Sequence, residues 1–226
     1  MSTVVITGTG SGLGRAIANA MQGDHLIFAW SASEVNVTDG ASIRNATLLL
    51  PERVDILVNC AGVNMIDYLP NVEEQDWDRV MNTNAKSIFL MTQALLSRLR
   101  DGTILNIVSN ASHIPMTASL AYNASKAAAL MATKQLAREL IKTHNITVFS
   151  VSPNKLKGTP MSTHIENRVI ELRGWTAAQA RKYQLDALPA GEETDLATLA
   201  EFIAFLLSSK QRHKYLAGCD ITYGGP

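Results

Sequence analysis

The sequence predicts an α/β fold in which one doubly wound parallel sheet carries helices on both faces. Three observations predict it. Short β-branched runs alternate with longer amphipathic stretches. The short runs carry apolar residues on both faces, as strands covered on both sides do, rather than alternating like half-exposed ones. The first run also ends on a cluster of glycines. A chain of 226 residues, 46% hydrophobic and 18% charged, suffices for one packed core and lacks the polarity of a disordered chain. No repeat, linker or low-complexity tract divides it, so residues 1–226 are expected to form a single domain.

The elements follow in order. Strands are expected at 3–7, 25–30, 54–59, 103–109, 147–151 and 219–222, and helices at about 12–22, 72–99, 121–143 and 194–208. A further short strand near 34–37 would bring the sheet to about seven. Trp30 runs almost directly into it, however, which leaves no room for an intervening helix and pares down that sheet edge. Asn71, Val72, Glu73 and Glu74 read as a capping box with Asn71 as the cap. Thr194 and Asp195 can start the last long helix, and Thr176 can cap a short one over 177–185.

Such sheets bind ligands beyond the carboxyl ends of their strands, so motifs there matter most. Directly after the first strand come Gly8, Thr9, Gly10, Ser11, Gly12, Leu13 and Gly14, with four glycines in seven residues. A missing Cβ lets backbone approach a phosphate closely, and the free N–H groups of the following helix favour a pyrophosphate. Tyr122 and Lys126 stand at i and i+4, on one face of an expected helix. Ser109 lies thirteen residues before Tyr122, at the end of an expected strand.

Lys and Arg total 20 and Asp and Glu total 20, so no basic excess draws the chain to nucleic acid or an anionic membrane. The apolar runs are too short to span a bilayer. Cys60 and Cys219 lack ligand spacing and the histidines form no cluster, so no metal site is expected. The opening residues read as a strand rather than a secretory leader, and two reduced thiols fit a cytoplasmic protein.

Thr7 to Gly14 reads T-G-x-x-x-G-x-G, and with Asn59-Cys60-Ala61-Gly62, Ser109, Tyr122 and Lys126 the sequence resembles the short-chain dehydrogenase/reductase family. Nearly the whole chain follows that pattern, including the closing Gly224-Gly225. The resemblance implies a Rossmann-like fold and hydride transfer between a nicotinamide cofactor and a small-molecule carbonyl or secondary alcohol. It implies Asn84, Ser109, Tyr122 and Lys126 as catalytic residues, with Asn84 positioning a relay water and Lys126 also holding the nicotinamide ribose. Chemically, a tyrosine titrates near 10, and a neighbouring ammonium is expected to lower that value towards useful acid–base work. The cofactor is expected on Gly8, Gly10, Ser11, Gly12, Leu13 and Gly14, with Ser31, Ser33, Asn36 and Val37 at the adenosine. Asn59, Ala61 and Gly62 follow, then Tyr122, Lys126, Pro153, Asn154, Leu156 and Thr159 near the nicotinamide. By the same resemblance, the helices over 72–99 and 121–143 pair between subunits of a homodimer or homotetramer.

Beyond the shortened stretch after Trp30, the sequence departs from the family pattern in three further places. Cys60 replaces the second Asn of N-N-A-G. No Asp ends the second strand to bind the ribose of NAD(H), and Ser31, Ser33 and nearby Arg15 could accept a 2′-phosphate. NADP(H) is therefore favoured, with NAD(H) possible if Glu34 turns inward. Asn154 stands where the family has Gly, a substitution that a left-handed backbone tolerates. A substrate-covering segment is expected over 154–193, in which Trp175 and Tyr183 either pack a helical flap or touch substrate. His113 is a further candidate for the cleft. The competing reading is a catalytically silent NADP(H)-binding sensor or scaffold of the same fold.

Overall fold

The computed structural model describes residues 1–208 and 214–225. In chain order the elements are β1 (Ser2–Thr7), α1 (Gly12–Ala20), β2 (His25–Trp30), α2 (Gly40–Thr47), β3 (Ile56–Asn59), α3 (Glu74–Met81), α4 (Ser87–Leu95), β4 (Thr103–Ile107), α5 (Leu120–Thr143), β5 (Thr147–Pro153), α6 (Pro160–Arg173), α7 (Ala177–Asp186), α8 (Leu196–Leu207) and β6 (Asp220–Tyr223). Six strands pair in the order β2-β1-β3-β4-β5-β6, and every pair is parallel.

Period-2 side-chain alternation distributes the apolar runs between two cores. Val4, Ile6, Val58, Phe149 and Val151 face α1 and α8, where Leu13, Ile17, Leu199 and Ile203 meet them. Val5, Leu57, Ile104 and Val148 face the opposite side, against Ile43 of α2, Met91 and Leu95 of α4 and Leu140 of α5. Chain direction across the sheet reverses beside β1, since β2 lies on one side of it and β3 on the other. That switch point opens a crevice at the strand C-termini.

Several local expectations are corrected. The six strands include none at 34–37: Ser31 to Val35 form a tight turn, and Val35 and Val37 enter the core as loop residues. The Asn71 capping box is absent. Asn71 ends a short 3₁₀ turn and donates to Asp67 Oδ1 at 3.0 Å, while α3 starts after Glu73 with no side-chain cap. The helix expected over 72–99 is interrupted by a π-helical turn at Asn82–Lys86. β4 stops at Ile107, and Ser109 instead caps a 3₁₀ turn at Asn110–Ser112. Two helices beyond those expected appear, α2 capped by Asp39 and α6 capped by Thr159. The starts at Asp195 and Thr176 are present, the latter as a complete capping box with Gln179. No described helix is long and apolar enough to cross a membrane.

Candidate active site

A cavity of about 710 Å³ lies across the carboxyl ends of the central strands and continues under α6 and α7. At its phosphate end, Gly8 to Gly14 turn the chain from β1 into α1. Gly8 has φ +75, and a Cβ there would stand 2.7 Å from the Ala61 backbone. A Cβ on Gly14 would stand 2.4 Å from the Gly8 carbonyl oxygen. These two glycines thus let the turn pack between α1 and the segment after β3. Ser11 precedes α1 without using its hydroxyl as a cap, and no acid occupies the first turn. The first-turn N–H groups and the Ser11 hydroxyl therefore suit a pyrophosphate. Gly10, Ser11, Gly12 and Leu13 all line the cavity.

The adenosine edge differs from expectation in one contact. Ser31 donates to Glu34 Oε2 through its N–H at 2.8 Å and its hydroxyl at 2.7 Å, while Ser31 and Ser33 hydroxyls share a 2.8 Å bond. These Ser31 hydrogen bonds hold the Glu34 carboxyl below its ordinary value, so it is ionised at neutral pH. Arg15 is exposed on α1, and Ser33 and Glu34 are exposed beside Ser31; of these, only Ser31 lines the cavity. Asn36 and Val37 line it; Asn36 Oδ1 accepts from the Thr38 N–H at 3.0 Å and hydroxyl at 2.8 Å.

Ser109, Tyr122 and Lys126 come together on the cavity wall. All three are buried, with Tyr122 and Lys126 one helical turn apart on α5. Burial raises the Tyr122 phenol above its ordinary value, and a hydrogen bond with Ser109 partly opposes it. The lowering expected from Lys126 is not found. Its Nζ lies 5.8 Å from the Tyr122 ring centroid and donates to the Ile107 carbonyl at 2.9 Å. Burial instead pulls the Lys126 ammonium down to about 8, with Cys60 acting weakly the other way. Cys60 lines the same wall as a neutral thiol, pushed up to about 12 by burial.

Asn84 is buried inside the π-helical turn and does not line the cavity. Its Oδ1 accepts from the Val63 N–H at 2.8 Å, and its Nδ2 donates to the Val63 carbonyl and to Ser125 Oγ, both at 2.9 Å. The side chain thus ties the segment after β3 to the turn of α5 that bears Tyr122 and Lys126. Asn59 also stays off the cavity: its Nδ2 donates to Asn106 Oδ1 at 2.8 Å within the sheet. Ala61 and Gly62 reach the cavity.

Beyond β5, Pro153, Asn154, Leu156 and Thr159 line the cavity. Asn154 does not adopt the left-handed backbone expected of a Gly substitute. Its side chain clamps two segments instead, accepting from the Thr194 hydroxyl at 2.6 Å and donating to the Gly224 carbonyl at 2.8 Å. The Thr159 hydroxyl caps α6 by accepting from the Ser162 N–H at 3.0 Å. Tyr183 lines the cavity, whereas Trp175 packs behind it with ring centroids 5.1 Å apart. His113 points elsewhere, pairing with Asp220 at 2.7 Å. Arg173 of α6 and Gln184 of α7 also line the wall; the sequence reading singled out neither, and α6 gives no clear helical period in sequence.

A family model described as short chain dehydrogenase matches residues 25–169. The chain is 31% identical to a 3-oxoacyl-[acyl-carrier-protein] reductase of Thermotoga maritima, covering 84% of this chain and 74% of the relative. It is 28% identical to a sorbitol-6-phosphate 2-dehydrogenase of Klebsiella pneumoniae, covering 99% and 95%. The fold is similar to that of an L-sorbose reductase from Gluconobacter frateurii, complexed with NADPH and L-sorbose, with a TM-score of 0.84. That alignment is 23% identical and covers 99% of this chain and 95% of the other.

Proposed function

Because the chain belongs to the short-chain dehydrogenase family, we propose that it transfers hydride between a nicotinamide dinucleotide and a small-molecule carbonyl or secondary alcohol. The observation that carries this reading is the meeting of Ser109, Tyr122 and Lys126 on one wall of the cavity opened by the glycine turn. When bound, the nicotinamide supplies or accepts the hydride. Ser109 and Tyr122 then donate hydrogen bonds to the substrate oxygen, where negative charge grows during reduction. A buried phenol with a raised pKa stays protonated at neutral pH, which suits Tyr122 to deliver the proton. Lys126 contributes positive charge beside the forming phenolate and would hold the nicotinamide ribose. Asn84 acts as a positioning residue that fixes α5 against the segment after β3, and a relay water at this turn fits the family pattern. The segment over 154–193 serves as the substrate cover.

The coenzyme preference turns on Glu34. The sequence favoured NADP(H), but an ionised carboxylate already accepts from both Ser31 donors. A 2′-phosphate would have to displace it and then sit beside it, whereas a ribose diol can donate to it. We therefore place NAD(H) ahead of NADP(H). For assembly we propose the homodimer or homotetramer through α4 and α5, on which Phe89 is 52% and Met131 63% exposed. A single-chain mass by light scattering at micromolar concentration would refute it.

The decisive variant is Tyr122→Phe, which removes the proton donor and leaves the ring. Turnover should fall by roughly 10²–10⁴-fold with coenzyme still bound. Wild-type turnover in this variant would overturn the assignment. Coenzyme binding by the wild type without turnover of any carbonyl in a broad panel would favour the silent sensor instead.

A further inference from the structure

Three cationic residues and no acidic one line the cavity among the described residues, and the three cations differ in what holds them. Lys126 sits beside Tyr122 and donates to the Ile107 carbonyl. Lys155 is neutralised, with Glu193 at 2.9 Å and Glu166 at 3.8 Å. Arg173, the last residue of α6, has neither a carboxylate nor a hydrogen-bond acceptor on its side chain among the described residues. Its guanidinium carbon instead lies 4.6 Å from the Trp175 ring centroid and 4.6 Å from that of Tyr183. The two ring centroids are only 5.1 Å apart, so both rings lie to one side of the guanidinium rather than sandwiching it. The guanidinium can lie parallel to at most one of two rings inclined at 64°, and the contact with them uses none of its N–H donors, which stay free to bind in its plane. The neighbouring Arg168 shows the alternative, with its donors spent on the Ile66 carbonyl, Asp67 and Glu171.

A planar cation resting against two rings inclined 64° to one another, with unused donors, in a wall that carries no carboxylate, is a site for a planar or tetrahedral oxyanion. Resting on the oxidoreductase reading above, we infer that the substrate carries an anionic group, a carboxylate or a phosphate, and that Arg173 binds it at the α6–α7 end of the cavity. Trp175 and Tyr183 position the guanidinium, Tyr183 from the cavity wall and Trp175 from behind. The reacting carbonyl then lies at the Ser109 and Tyr122 end of the same cavity.

The test compares matched carbonyl compounds that differ in charge: levulinate against methyl levulinate, and dihydroxyacetone phosphate against dihydroxyacetone. Wild type should favour the anion of at least one pair by tenfold or more in kcat/KM, and the preferred pair tells a carboxylate site from a phosphate site. In Arg173→Met that ratio should fall at least tenfold, and Arg173→Lys, which keeps the charge without the planar fork, should recover part of it. Equal use of charged and neutral partners by the wild type, or an unchanged ratio in Arg173→Met, overturns the inference. Calorimetric titration of the enzyme–coenzyme complex with both anions gives a second readout that needs no turnover. Saturable heat that is lost in Arg173→Met supports the anion site even if no hydride moves, which would count against the oxidoreductase reading alone. No heat and no turnover with either anion overturns the inference.

Discussion

All seven residues of β5 are buried, whereas α6 and α7, which close the other end of the same cavity, bury one residue each, Ser162 and Ala180. The two ends of the site are thus held by different forces. The coenzyme end stands on strand termini locked between two apolar cores, where a single extra methyl group meets backbone. The substrate end is held by caps, by ion pairs such as Arg168 with Asp67, and by an arginine resting on two rings. Close packing fixes geometry and tolerates little change, while polar surface contacts of this kind are individually weak. On the proposed function, hydride transfer falls on the rigid end and recognition of a particular substrate on the adaptable one.

The comparison is broken most severely by adding a methyl group to the rigid end. Gly14→Ala would place Cβ 2.4 Å from the Gly8 carbonyl oxygen, with backbone on both sides unable to yield. The expected cost is roughly 3 kcal/mol, read by chemical denaturation, together with a large loss of coenzyme affinity. A fully stable Gly14→Ala that binds coenzyme normally would show that this turn is not packed as described.

Lys126 sharpens the contrast through pH. Its ammonium titrates near 8 when folded against 10.5 when exposed, so between those values the unfolded chain holds the extra proton. Stability attributable to Lys126 therefore rises with pH through this window, is complete above about 10.5, and is lost as pH falls through about 8. Relative to Lys126→Met, wild type should gain up to roughly 3 kcal/mol across the window. The shift of Cys60 runs the other way but is common to both proteins and largely cancels in the difference. A pH-independent difference between the two denaturation curves would contradict the burial of this charge.

The adenosine edge lies between the two extremes, since Glu34 and Ser33 are exposed while Ser31 is half-buried. Glu34→Gln removes the charge that would face a 2′-phosphate. The ratio of NADPH to NADH affinity should rise, by about tenfold at most for a charge this exposed to solvent. An unchanged ratio would remove Glu34 from coenzyme selection.

The smallest effect is expected at the substrate end. Gly174 ends α6 with φ +63, and a Cβ there would meet nothing within 4 Å. Gly174→Ala should cost only about 1 kcal/mol through backbone strain and leave coenzyme affinity unaltered. A loss comparable to that of Gly14→Ala would erase the distinction between the two ends.

Legibility in the sequence followed the same division. The strands, the glycine turn and the Tyr122–Lys126 pair were readable because buried strands and a fixed i, i+4 spacing leave strong patterns. The side-chain clamps were not. Asn154 and Asn84 each join segments distant in sequence, and nothing local in the chain announces such partners. Asn71 carried a valid capping pattern, but Asp67 claimed its side chain. Arg173 was missed because α6 buries so little that it leaves scarcely any apolar period to read. The direction of the Tyr122 shift differs from the expectation for a further reason: sequence adjacency gives the ammonium as neighbour but not the burial that raises the phenol, nor the Ile107 carbonyl that takes the Lys126 Nζ.

The most direct test of the account is a fluorescence titration of the purified protein with NADH and NADPH, side by side. Saturable binding at sub-millimolar concentration, tighter for NADH, is the predicted result, with Glu34 facing the ribose. Failure of both to bind below the millimolar range would contradict the reading of the glycine turn as a dinucleotide site, and with it the proposed hydride transfer.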